Sequence, residues 1–280
     1  MSVRIIVDST SDLTAAVRQR VHVVPLTIRF GDKEYIDGVT INSREFYEKL
    51  VECDDLPTTS QATPASFEGV FRQTVDAGDD AVVIPLASKR SGTYQSAVIA
   101  AEEYEDRIHV VDSTTVAIGG GILTELALRL VDQGLSAAEI AKTLEREREN
   151  ICLVALVDTL EYLKRGGRIS KTVAFAGSLL SIKPVITVED GEIKMLGKAR
   201  GSKQGNNLLV QEIEKAGGVD FSKPLMLGYT GISDALLRKY IQDSDALWKD
   251  YRDELSVSTI GSVVGTHAGP GAIAVAFFKK

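Results

Sequence analysis

An alternation in the first half of the chain constrains the fold more than any other feature. Three short apolar runs, Val3–Val7, Ala81–Leu86 and Ile108–Val111, each lead into a polar loop and then into a stretch with helical spacing. This is the βαβ pattern of a parallel sheet covered by helices on both faces. Helix starts are marked in side-chain chemistry. Thr63-Pro64 offers an N-cap followed by proline at the first helical position, and Ser136 with Glu139 fits a capping box ahead of Ile140 and Leu144.

The pattern changes after the charged stretch Glu145–Glu149. Ile151–Val157 reads as a buried strand leading into a short helix. Val185–Val188, an Asp190-Gly191 turn and Ile193–Leu196 then form a β-hairpin signal. Leu225–Tyr229, Leu255–Ile260 and Ala272–Phe278 add further strands with helices between them. The expected fold is α/β with two lobes. Residues 1–150 form an N-terminal α/β/α domain on a parallel sheet, residues 151–280 form a C-terminal α+β domain with antiparallel pairing, and a ligand lies between them. A length of 280 residues suits two such lobes.

Charge and cysteine content narrow the function. A net charge of −7 argues against general nucleic-acid binding, which depends on neutralising phosphates. Between Lys164 and Lys203, however, nine bases face three acids, a local surplus of six. Such a stripe suits either docking of an acidic partner or a solvated face. Cys53 and Cys152 lie far apart without neighbouring ligand residues, as expected of packing residues in a reducing compartment. No apolar run reaches the roughly 18–20 residues needed to cross a bilayer, and Met1–Val7 runs directly into a strand-like segment. A cytoplasmic protein with at most transient membrane contact is expected. Phosphate-loop, dinucleotide and metal-ligand spacings are absent, so no cofactor or metal is expected.

Three segments combine hydroxyls, glycines or a histidine at the expected carboxyl ends of strands, where open α/β sheets place ligands. They are Thr58-Thr59-Ser60-Gln61, Ser91-Gly92-Thr93-Tyr94, and Gly265-Thr266-His267-Ala268-Gly269-Pro270-Gly271. Ser91-Gly92-Thr93 opens a helix, so its free N–H groups favour an anion, or one of its hydroxyls simply caps the helix. His267 is either a structural imidazole or one arm of a carboxylate cradle. Val116–Leu123 and Val173–Leu180 suit a cavity wall or tight helix packing. A serine hydrolase built on Ser91 and His267, oriented by Asp8 or Asp112, is a competing reading, although Ser91 lacks the Gly-x-Ser-x-Gly elbow.

With Asp8-Ser9-Thr10-Ser11-Asp12 and the stretch Asp158–Ile169, which contains Arg165-Gly166-Gly167-Arg168, these segments resemble the DegV family in order and spacing from residue 3 to residue 278. DegV proteins, also called FakB, bind a fatty acid between two α/β lobes. A fatty acid kinase of the FakA type phosphorylates the carboxyl group, and the acyl phosphate enters phospholipid synthesis. The resemblance therefore implies a lipid-binding, substrate-presenting protein rather than an enzyme, with a long-chain fatty acid as ligand. A different amphipathic carboxylate is the alternative ligand. The resemblance assigns Thr59, Ser91 and His267 to the carboxylate, with Ser60, Gly92, Thr93 and Thr266 beside them, and Arg165, Arg168, Arg200 and Lys203 to the kinase. One departure stands out: Arg90 precedes the Ser-Gly-Thr-Tyr segment, where family members commonly carry an apolar residue.

Overall fold

The computed structural model describes residues 2–104, 106–169 and 182–280. Its N-terminal part comprises β1 (Val3–Asp8), α1 (Ala15–Arg18), β2 (His22–Val24), β3 (Thr27–Phe30), β4 (Lys33–Ile36), α2 (Ser43–Glu52) and β5 (Thr58–Ser60). It continues through α3 (Pro64–Asp76), β6 (Asp80–Ile84), α4 (Thr93–Ala101), β7 (Ile108–Val110), α5 (Ile118–Asp132) and α6 (Ala137–Glu147). Strands β2-β1-β6-β7 form a four-stranded parallel sheet. Its apolar runs are covered on both sides. Ile6, Val83, Phe67 and Phe71 share one core, and Ile5, Val82, Leu123 and Ile140 share another. The capping chemistry forms as expected: Thr63 caps α3 ahead of Pro64, and Ser136 with Glu139 closes a capping box on α6.

This part also holds a small antiparallel sheet, β4-β3-β5, which the βαβ reading did not anticipate. Its strands are three or four residues long and half exposed, so they lack the continuous apolar run that marked the parallel strands. The sheet is functionally placed, because β5 carries Thr59 and Ser60.

The C-terminal part contains β8 (Ile151–Leu156), α7 (Glu161–Arg165), β9 (Ile182–Glu189), β10 (Glu192–Arg200), α8 (Gly201–Lys215) and β11 (Met226–Tyr229). It ends with α9 (Ala235–Asp243), α10 (Asp245–Trp248), β12 (Ser256–Thr259), α11 (Ser262–Ala268) and β13 (Ile273–Phe278). A six-stranded sheet runs in the order β10-β9-β8-β13-β11-β12. All of its pairs are antiparallel except β11–β12, so it is mixed rather than purely antiparallel. Glu189 pairs with Glu192 across the Asp190-Gly191 turn, the two-residue hairpin read from the sequence.

Two helices tie the halves together. α5 packs against β1 of the first sheet and against β11 and β13 of the second, and α11 packs on α2, β3 and β5. Polar contacts reinforce this seam: the Tyr47 hydroxyl donates to the Ile260 carbonyl at 2.9 Å, and the Gly261 N–H donates to Asp12 Oδ1 at 2.7 Å. Burial pushes the Asp12 carboxyl well above its usual range, and the charges of Asp37 and Asp8 add to the rise. Among the described residues, no helix is long and apolar enough to cross a membrane.

Candidate functional site

A cavity of about 410 Å³ opens against the six-stranded sheet. It lies within the range typical of small-molecule sites. The six-stranded sheet supplies one wall through Leu153, Ala155, Ile186, Val188 and Ala274. The opposite wall comes from Leu26, Leu86, Val116 and Ala117, and α11 contributes Val263, Val264 and His267. The Val116–Leu123 stretch thus divides its labour. Val116 and Ala117 face the cavity, whereas Ile118, Ile122 and Leu123 are core residues of α5. The other candidate wall, Val173–Leu180, lies outside the described residues.

The bend at this wall is fixed by hydrogen bonds. Asp112 Oδ1 accepts from the Ser88 and Thr114 N–H groups, and the Ala87 N–H donates to the Thr115 carbonyl. Thr114 and Ala117 hold φ values of +53° and +55°, which L-residues tolerate only where the surroundings enforce them.

Polar groups gather where β5, the Ser91 loop, α7 and α11 meet. Thr59 Oγ1 lies 3.1 Å from His267 Nε2. Ser91 Oγ accepts from the Thr93 N–H at 3.3 Å and lies 2.9 Å from Thr93 Oγ1. Gln61 packs so closely on Gly92 that a Cβ there would collide with its amide, and Gln61 Nε2 donates to Ser96 Oγ at 3.1 Å. The Thr59-Ser60-Gln61 strand is therefore clamped to the Ser91-Gly92-Thr93 loop. Gly166 has a comparable steric role, because a Cβ at that position would strike His267 Nδ1.

Burial, with the positive charge of Arg168 as a second cause, lowers the His267 pKa to about 4. The imidazole is neutral at pH 7, and its buried Nδ1 has no hydrogen-bond partner among the described residues. It can therefore orient an anion without forming a full ion pair.

The anticipated residues fall into three groups. Thr59, Ser60, Ser91, Gly92 and His267 line the cavity. Thr93 and Thr266 stand behind the wall: Thr93 is fully buried with its hydroxyl on Ser91, and Thr266 Oγ1 donates to the Ser262 carbonyl at 2.9 Å. Of the basic residues, Arg165, Arg200 and Lys203 are exposed, whereas Arg168 faces into the cavity. Its Nη1 donates to the Gly166 carbonyl at 2.7 Å, which turns the guanidinium back toward the site.

Arg90 lines the cavity as well, and its Nη1 donates to the Arg168 carbonyl at 2.8 Å. Thr10 lines it from the loop after β1, where Asp8 accepts from both the Thr10 hydroxyl and the Thr10 N–H. Thr10 belongs to the Asp8–Asp12 segment that carries the family resemblance, but its place in the cavity wall was not read from the sequence, and nothing there distinguished Leu26 from an ordinary packing residue.

The described contacts do not assemble a hydrolytic triad. His267 Nε2 meets Thr59 rather than Ser91, and the two acids that could orient the imidazole are engaged elsewhere, Asp8 on Thr10 and Leu86 and Asp112 on Ser88 and Thr114. Among the described residues, no cluster of histidine, cysteine and acidic groups is placed to hold a metal ion.

Comparison with known proteins is consistent across the whole chain. Residues 2–280 match a family model described as an uncharacterised protein of the DegV family. A DegV domain-containing protein of Caldanaerobacter subterraneus is 37% identical, with 99% of each chain covered. A fatty-acid-binding DegV family protein of Thermus thermophilus superposes with a TM-score of 0.88 at 33% identity, covering 99% of this chain and 100% of that one. A stearic acid-binding protein of Eubacterium ventriosum superposes with a TM-score of 0.86 at 28% identity, covering 100% of this chain and 99% of that one.

Proposed function

The chain belongs to the DegV family, and on that premise we propose that it binds one long-chain fatty acid between its lobes, residues 1–150 and 151–280, and presents the carboxylate to a cytoplasmic fatty acid kinase. The observation that carries this reading is the cavity itself, which has apolar walls against the six-stranded sheet and one cluster of hydroxyls, imidazole and guanidinium groups. The fatty-acid binding of the Thermus thermophilus and Eubacterium ventriosum proteins supports the same choice of ligand.

In this account the tail and the head are bound by different physics. Each methylene withdrawn from water contributes about 0.8 kcal/mol, so affinity accumulates along the chain. At the head, Thr59, Ser91 and neutral His267 hold the carboxylate by hydrogen bonds that leave its oxygens nucleophilic. One oxygen then attacks the terminal phosphorus of a nucleoside triphosphate held by the kinase, the diphosphate leaves, and the acyl phosphate formed is available to phospholipid synthesis. Catalytic groups belong to the kinase. The exposed cations Arg165, Arg200 and Lys203 are the docking face for it.

The test separates docking from binding. Arg200→Ala should lower the rate of kinase-coupled acyl-phosphate formation while the purified protein retains its lipid. Loss of the lipid together with the rate would make Arg200 a structural residue and remove it from the docking face.

A further inference from the structure

Within the Asp8-Ser9-Thr10-Ser11-Asp12 segment, Thr10 alone lines the cavity. Asp12 is buried at the seam and turned instead toward the start of α11. Gly261, at the N-cap of that helix, has no side chain with which to cap it. In a capping box the glutamate three residues on would reach back to the N-cap N–H, but here that residue is Val264, which faces the cavity. Asp12 supplies the missing acceptor: its Oδ1 takes the Gly261 N–H at 2.7 Å. A carboxylate from the N-terminal part thus caps a helix of the C-terminal part, and the helix dipole favours it there.

Asp12 is itself held. Its N–H donates to the Ala117 carbonyl at 3.3 Å, and its own carbonyl lies so near Gly121 that a Cβ there would collide with it. α2 seats α11 from another side, through the bond from the Tyr47 hydroxyl to the Ile260 carbonyl and through Gly265, which leaves no room for a Cβ against Phe46 and Tyr47. The helix so placed carries Val263, Val264, His267 and Ala268 to the cavity and sets His267 Nε2 3.1 Å from Thr59 Oγ1. His267 Nδ1 has no hydrogen-bond partner among the described residues. The position of the imidazole therefore follows from the position of α11.

We propose that Asp12 is a positioning residue for carboxylate recognition: by capping α11 across the seam, it sets where the His267 imidazole meets the head of the ligand. This rests on the fatty-acid reading above and deepens it. Burial raises the Asp12 pKa well above the usual carboxylate range, yet the neutral and charged forms both keep an accepting Oδ1. An amide at this position should therefore serve in place of the acid.

Delipidated protein is titrated with palmitate and with 1-hexadecanol, which has the same length of tail and no carboxylate, by displacement of a fluorescent fatty acid. The parent should prefer palmitate. Asp12→Ala should lower that preference about tenfold, the scale of one hydrogen bond to a charged group, and Asp12→Asn should retain it. In a His267→Ala background, Asp12→Ala should lower the preference no further, because the two residues act in series. Gly261→Ala would place a Cβ 3.1 Å from Asp12 Oδ1 and displace the carboxylate without removing it, so it gives the same comparison if Asp12→Ala does not fold.

Equal weakening of both ligands would make Asp12 a packing residue of the seam and overturn the positioning role. So would a further loss of preference in the His267→Ala background, or an asparagine variant that behaves like the alanine one. A parent that binds neither lipid, or both alike, would instead refute the fatty-acid reading itself.

Discussion

The two ends of the cavity are built on different principles. The tail region is made of strand residues such as Leu153, Ala155, Ile186 and Ala274, which the core of the six-stranded sheet would bury in any case. The head region draws on β5, the Ser91 loop, α7 and α11, and joins groups as distant in sequence as Thr59 and His267. The sheet wall is repetitive and tolerant, so small changes there alter fit by degrees. The head depends on a few contacts held by neighbours, such as the clamp of Gln61 on Gly92, so a single change alters its chemistry. Affinity belongs to the first region and reactivity to the second.

The largest effect should come from obstructing the tail. Ala155→Phe places a ring in the cavity and displaces about four methylenes, which at about 0.8 kcal/mol each is roughly a hundredfold loss of affinity. Displacement of a fluorescent fatty acid measures it. Undiminished affinity would place the acyl chain elsewhere.

The next effect is a pH dependence confined to the head. His267 has a folded pKa of about 4, below the ordinary histidine value of 6.5. Between these values the unfolded chain binds the extra proton, so the contribution of His267 to stability is fully present above pH 6.5 and is lost as pH falls toward 4. The shift corresponds to about 3 kcal/mol. The buried carboxyls Asp8, Asp12 and Asp37 have raised pKa values and act in the opposite sense, destabilising the fold as pH rises through them. The informative quantity is therefore the difference between parent and His267→Gln. Urea titrations at pH 7 and pH 4.5 should show the parent losing more stability than the variant. Identical losses would mean that the imidazole is solvated.

The smallest effect should be that of Thr59→Ala. It removes one hydroxyl hydrogen bond to the carboxylate, worth about 1.5 kcal/mol, and should lower fatty-acid affinity about tenfold while leaving chain-length preference unchanged. A changed preference would break the separation of head from tail.

The comparison also explains what could be read from the sequence. Parallel strands, helix caps and the Asp190-Gly191 hairpin are local features, and their signals lie within a few residues of one another. Thr59, Ser91 and His267 were legible as chemically suitable residues at strand or helix ends. The cavity was not, because an alanine such as Ala155 looks the same whether it faces a packed neighbour or an empty space. The sheet β4-β3-β5 was missed because its half-exposed strands are too short to show a period. Arg168 was assigned to a partner by the resemblance of the Arg165-Gly166-Gly167-Arg168 segment, and the basic stripe pointed the same way; its place at the cavity was not read from either. Its orientation depends on a backbone turn in which Arg168 Nη1 reaches the Gly166 carbonyl, and charge counting cannot reveal that. Thr93 and Thr266 have the right chemistry, but their hydroxyls are already engaged behind the wall.

The central claim is that this cavity holds an acyl chain, and the most direct measurement is native mass spectrometry of freshly purified protein followed by denaturation and identification of whatever is released. The account predicts one fatty acid per chain. A protein that emerges empty and takes up no fatty acid when offered one, or that carries a non-acyl ligand at full occupancy, would contradict it.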